Sequence, residues 1–120
     1  MPEPLPSPRL RWALPLWVLY VAAMLFMALG PMTVDTGLPH GDKFLHGLAF
    51  AGVVLLYPWP LRWNRLWLAA LIVVVLAGGI EILQDLSPAY GRRPDLYDFL
   101  AGVAGGVLGM AIRLLFSKDA

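Results

Sequence analysis

The chain contains no cysteine. That excludes a disulfide framework, a thiolate nucleophile, a lipidated cysteine and any cysteine-ligated metal. Charge is also scarce: Asp, Glu, Lys and Arg make up 14% of the 120 residues, where a typical soluble domain has about a quarter. Nine basic residues against eight acidic ones leave a net charge of +1, with no cationic excess for a polyanion, so no nucleic-acid partner is expected. Disorder is excluded by the 59% of residues that are apolar, because that much apolar surface must be covered. A very apolar soluble domain or a small membrane protein remains, and the placement of the few charges separates them.

Four stretches of 18 or 19 residues carry almost no charge: 12–30, 44–61 with only His46, 66–84 with only Glu81, and 99–116 with only Arg113. A helix of that length spans roughly 27–29 Å, about the hydrocarbon thickness of a bilayer. None shows the polar stripe that a water-soluble bundle needs every three or four residues. The expected fold is therefore an all-α integral membrane four-helix bundle, a single domain over 1–120 with residues 1–10 as a flexible tail. Cleavage of the first stretch as a signal peptide is disfavoured by its length and by Pro31 after Ala28, Leu29 and Gly30.

Basic residues set the expected orientation. Arg9, Arg11, Arg62, Arg65, Arg113 and Lys118 fall on one side of this topology, and only Lys43, Arg92 and Arg93 on the other. Both termini are thus expected in the cytoplasm. Trp12, Trp59, Trp63 and Trp67 cluster at the same boundary, as interfacial anchors do.

This topology gathers Asp35, Asp42, Glu81, Asp85, Asp95 and Asp98 on the outer side with His40, His46, Lys43, Arg92 and Arg93. Asp42 and His46 are one helical turn apart, and Glu81 shares a face with Gln84 and Asp85. Asp98 stands one turn before Gly102, and Gly102, Gly105, Gly106 and Gly109 form overlapping small-residue patterns that permit close helix approach. Those glycines also offer a surface for homo-oligomer formation. Ionisable groups at membrane depth are costly and mark function. Helix capping by Asp42, Asp95 or Asp98 is the plainer reading of those residues.

Asp42-Lys43 with His46, Glu81 with Gln84, then Pro88, Arg92, Asp98 and the Gly105/Gly109 tail resemble the VanZ-like family of small bacterial membrane proteins. The likeness covers about residues 10–116. Where that family commonly has Asn after the last Asp, this chain has Gly102, and Arg92 is chosen over Arg93 by its spacing to Asp98. The resemblance implies a multi-pass protein of the bacterial cytoplasmic (inner) membrane, acting near the outer leaflet or on cell-wall precursors, in a context of teicoplanin and glycopeptide resistance. The implied partners are membrane lipids, a lipid-linked cell-wall precursor or a lipoglycopeptide.

The residues themselves leave four kinds of chemistry open. Asp42, Lys43, Gln84, Arg92 and Arg93 form a candidate ligand-binding set, with the cations holding a headgroup phosphate or carboxylate. His46, Glu81 and Asp98 form a candidate catalytic set in which His46 moves protons and the carboxylates orient it. Ser87 is the only nearby hydroxyl, so such an enzyme would need activated water, a histidine nucleophile or a metal. A metal held by His46, Glu81 and Asp98 has suitable ligand types, but their spacing is not a recognised ligand motif, and neither a metal nor another cofactor is expected. The fourth reading is a structural ion-pair clasp.

Overall fold

The computed structural model describes residues 8–30, 37–59, 61–86 and 95–116. Those residues form four helices: α1 (Pro8–Leu29), α2 (Gly41–Leu55), α3 (Leu66–Leu86) and α4 (Leu96–Leu115), with a short 3-10 turn at Trp63–Arg65 before α3. Among the described residues there is no strand.

Several boundaries differ from the sequence expectation. α1 begins at Pro8, inside the stretch expected to be a tail, because proline at the first helical position lacks only an N–H that would be unbonded anyway. α2 begins at Gly41 and ends at Leu55, not at 44 and 61. Pro58 and Pro60 cannot continue a helix, and the residue before a proline is pushed out of the helical region. α4 starts three residues before 99, because Asp95 caps it by accepting a hydrogen bond from the Tyr97 N–H.

Three helical stretches, Arg11–Leu29, Trp63–Leu86 and Leu96–Leu115, are long and apolar enough to cross a membrane. At 15 residues, about 22 Å, α2 is not among them. These three helices turn Leu16, Leu19, Leu71, Val75, Ile82 and Leu108 outward, an apolar exterior of the kind a membrane covers.

Helix directions follow from which residues meet. Lys43 lies beside Asp98 and Val54 beside Arg113, so α2 and α4 run parallel. Val73 faces Gly106 and Glu81 reaches Asp95, so α3 is antiparallel to α4. Trp17 reaches Val53 and Ala28 meets Gln84, so α1 runs with α3 and against α2. Arg11, Arg62, Arg65 and Arg113 consequently sit at one end of the bundle. Asp42, Lys43, His46, Glu81, Gln84, Asp95 and Asp98 sit at the other.

Packing is uneven. The buried face of α4 is Asp98, Gly102, Gly105, Gly106 and Gly109, and α2 lies directly against it, with Phe50 over Gly102 and Gly47 backbone against Gly105. Phe50, Val53, Val54, Val73, Ala77 and Ile80 form the core between α2, α3 and α4. Met24 is the only described side chain of α1 that is buried. α1 is held instead by polar attachments to backbone carbonyls: Trp17 Nε1 donates to Val53 O at 2.8 Å, and Tyr20 Oη donates to Ala49 O at 2.8 Å. Gln84 Nε2 donates to Ala28 O at 3.0 Å. Trp17 also packs edge-on against Tyr57 and Trp59.

Candidate functional site

α2 begins on His40, whose backbone is left-handed (φ 57°) and whose side chain makes no cap bond. Asp42 is therefore not the cap of this helix. It lies in the first turn, where its carboxylate takes the Lys43 ammonium at 3.1 Å. Lys43 is the hub of this end: its Nζ also lies 3.1 Å from Asp95 and 3.5 Å from Asp98. Capping falls to Asp95, while Asp98 sits within the first turn of α4 and is 9% exposed.

Glu81, near the end of α3, accepts a hydrogen bond from the Asp95 N–H through Oε2 at 2.6 Å. That bond ties the end of α3 to the cap of α4. His46 Nδ1 lies 3.3 Å from Asp42 O within its own helix, leaving Nε2 to face the bundle. His46, Glu81 and Asp98 each offer one ligand-type atom, and those atoms lie within 4.8 Å of one another. Among the described residues, His46 Nε2, Glu81 Oε1, Gln84 Oε1 and Asp98 Oδ1 are buried and lack a hydrogen-bond partner. Polar atoms in that condition are uncommon in folded proteins.

The structure thus brings together Asp42, Lys43, His46, Glu81 and Asp98, on three different helices. Gln84 is one turn below Glu81, but its amide is directed to α1. Arg92, Arg93 and Pro88 lie outside the described residues. Asp95 caps α4, one of the capping roles expected from sequence, but its bonds to Lys43 and Glu81 carry no sequence signal. Tyr20 and Trp17 were also missed, although a tyrosine hydroxyl inside an apolar helix needs a partner.

Beside this cluster, between α1 and α2, lies a cavity of about 370 Å³. Its walls are mostly apolar, with Ala23, Met24, Met27 and Ala28 on one side and Leu45, Ala49 and Phe50 on the other. Asp42 and His46 line its polar end.

The lysine hub gives a pH signature. Its ammonium holds Asp42 below the usual carboxylate range, and the Tyr97 N–H followed by Lys43 does the same for Asp95. Asp42 and then Asp95 push Lys43 upward from 10.5. The carboxylate contribution is present above 3.8 and is lost as pH falls through the lower folded values. The lysine contribution is complete below 10.5 and is lost as pH rises through its higher folded value. The melting temperature of Lys43→Met should therefore fall furthest below that of the parent between these limits. A gap that persists in full once pH has fallen below the lowered folded values of Asp42 and Asp95, or risen above the raised folded value of Lys43, would show that lost packing, not ion pairing, explains it.

No family model, curated protein or solved structure matches this chain.

Proposed function

We propose that this is a VanZ-like four-pass protein of the bacterial inner membrane that takes the acyl chain of an envelope lipid into the α1–α2 cavity. The lipid's polar end would then rest among Asp42, His46, Glu81 and Asp98, on the outer face, with both termini cytoplasmic. The observation that carries this reading is the cavity itself: apolar along its length, polar at one end, and bordered by a spanning helix that packs loosely. In a bilayer the molecules available to fill such a space are lipids, whose acyl chains match its apolar walls and gain packing contacts there.

A fourth crossing by α2 is supported by its register against α4. Lys43 meets the first turn of α4 and Trp59 O meets Arg113 in the last, so α2 and the turn after it cover nearly the same depth as a spanning helix. Arg11, Arg62, Arg65 and Arg113 at the opposite end are the asymmetry expected of a cytoplasmic side. The glycine face of α4 is occupied by α2 and α3 of the same chain, so self-association would use another surface. Lys43 is engaged by three carboxylates, which leaves headgroup phosphate recognition to Arg92 and Arg93.

Native mass spectrometry in mild detergent tests this reading. The parent should retain one lipid species per chain, and Ala23→Phe, which fills the cavity from its wall, should release it while the protein stays folded. Equal and unselective lipid in both proteins would exclude the cavity as a lipid site. A second reading, hydrolysis or transfer at a lipid ester or phosphate, is favoured by one observation: His46, which lines the polar end of that cavity, converges with Glu81 and Asp98.

A further inference from the structure

We infer that His46, Glu81 and Asp98 form a binding site for a divalent transition metal, with zinc the best-suited ion. The three residues come from α2, α3 and α4, so the site exists only when all three helices are assembled. Their ligand atoms lie within 4.8 Å of one another. Zinc bonds of about 2.0–2.2 Å place tetrahedral ligands roughly 3.4 Å apart. The difference is on the order of 1 Å, within the reach of side-chain rotation.

A second observation is independent of the spacing. His46 Nε2, Glu81 Oε1 and Asp98 Oδ1 are all buried and none has a hydrogen-bond partner among the described residues. For two of the three the other polar atom is engaged elsewhere: His46 Nδ1 by Asp42 O, and Glu81 Oε2 by the Asp95 N–H. Asp98 Oδ1 has only the Lys43 ammonium, at 3.5 Å. Charge points the same way. Among the described residues, Asp42, Asp95 and Asp98 share the ammonium of Lys43, which sits nearer to Asp42 and Asp95 than to Asp98. Buried carboxylate oxygens without a hydrogen-bond partner, here Glu81 Oε1 and Asp98 Oδ1, favour a cation or a proton beside them.

The donor set selects the ion. One imidazole with two carboxylates is too nitrogen-rich for calcium or magnesium and too hard for copper(I), and it suits zinc, with manganese or iron(II) next. Three protein ligands leave a coordination position for water, as in catalytic and not structural zinc sites. His46 lines the cavity, so that position would lie at the cavity's polar end. The metal rests on the same polar cluster as the proposed lipid site, but it does not require the cavity to hold a lipid.

The test uses the full chain in detergent, stripped with a chelator and then titrated with Zn²⁺ and Co²⁺ alone. We expect one metal per chain, a visible Co²⁺ absorption band of low-symmetry coordination, and a rise in melting temperature on adding Zn²⁺. Glu81→Gln and Asp98→Asn keep the shape of the side chain and remove its charge. Each should weaken Zn²⁺ by about 100-fold or more while the metal-free variant melts no lower than the metal-free parent. Ala23→Phe should release lipid and keep the metal, so failure of one proposal is distinguishable from failure of the other. Absence of stoichiometric binding of either ion at millimolar concentration would overturn the site, as would equal affinity in parent, Glu81→Gln and Asp98→Asn.

Discussion

Adding one methyl group at Gly105 is expected to destabilise this protein by about 3 kcal/mol, at the upper end of what overpacking costs. A β-carbon there would be driven into the Gly47 backbone, meeting its carbonyl oxygen, its carbonyl carbon and its Cα. None of these atoms can rotate away, so relief requires α2 to move off α4. That movement would pull Lys43 from Asp98 and Val54 from Arg113 at the two ends of the same interface. Gly79→Ala is the matched control, because a β-carbon at Gly79 meets nothing within 4 Å and alanine is the better helix former by about 1 kcal/mol. Thermal melting in one detergent decides the matter: Gly105→Ala should fall on the order of 10 °C below the parent, and Gly79→Ala should match or exceed it. Equal melting of the two variants would mean that α2 and α4 are not in close contact.

The same glycines show how much of the fold the sequence displays. The spacing of Asp98, Gly102, Gly105, Gly106 and Gly109 marks one face of a helix, and this face is the buried one. Small residues at that interval have few uses other than close approach. The partner of the face is not visible in that pattern. α2 supplies it through Gly47, Phe50 and Ala51, in a parallel arrangement that depends on how two intervening segments return. The length of α2 is legible but outweighed: Pro58 follows closely on the end of the helix at Leu55, whereas a count of uncharged residues runs through it. Composition registers lipid compatibility and is blind to the backbone N–H that proline lacks.

The polar end divides similarly. That Asp42, His46, Glu81 and Asp98 share one end follows from charge-free stretches of equal length. The convergence of His46, Glu81 and Asp98 does not, because it depends on the rotation of three helices about their own axes. Linear spacing carries that information only for residues on one helix, as with Asp42 and His46. Asp95 illustrates the opposite case, a local signal present in the sequence whose longer-range bonds to Lys43 and Glu81 only assembly creates.

Replacing Arg113 by methionine should cost about 3 kcal/mol of stability, for a reason unrelated to membrane orientation. As a basic residue near a helix end, Arg113 reads as one of several cytoplasmic charges, interchangeable with lysine. Its guanidinium, however, donates to Val54 O at 3.0 Å, Tyr57 O at 2.8 Å and Trp59 O at 3.0 Å, and lies 5.8 Å from the Tyr57 ring centre. These carbonyls belong to the end of α2 and the irregular turn forced by Pro58. The last carbonyls of any helix lack intrahelical partners, and irregular backbone near the hydrocarbon is tolerated only where its polar groups are satisfied by protein or water. Hydrogen bonds to a charged donor contribute about 1.5–3 kcal/mol each, with water recovering part of the loss at an interface. Methionine keeps the apolar stem and removes all three bonds. Lysine restores the charge but not the planar fork that reaches three acceptors at once, so Arg113→Lys should recover less than half of the loss. Melting in detergent, where no membrane potential or insertion machinery acts, separates the two roles. If Arg113→Met melts with the parent, the arginine is only a surface charge, and the last carbonyls of α2 must be satisfied by some other means. If Arg113→Met melts far below the parent and Arg113→Lys lies between them, Arg113 is the cap that lets a 15-residue helix pack along the length of α4.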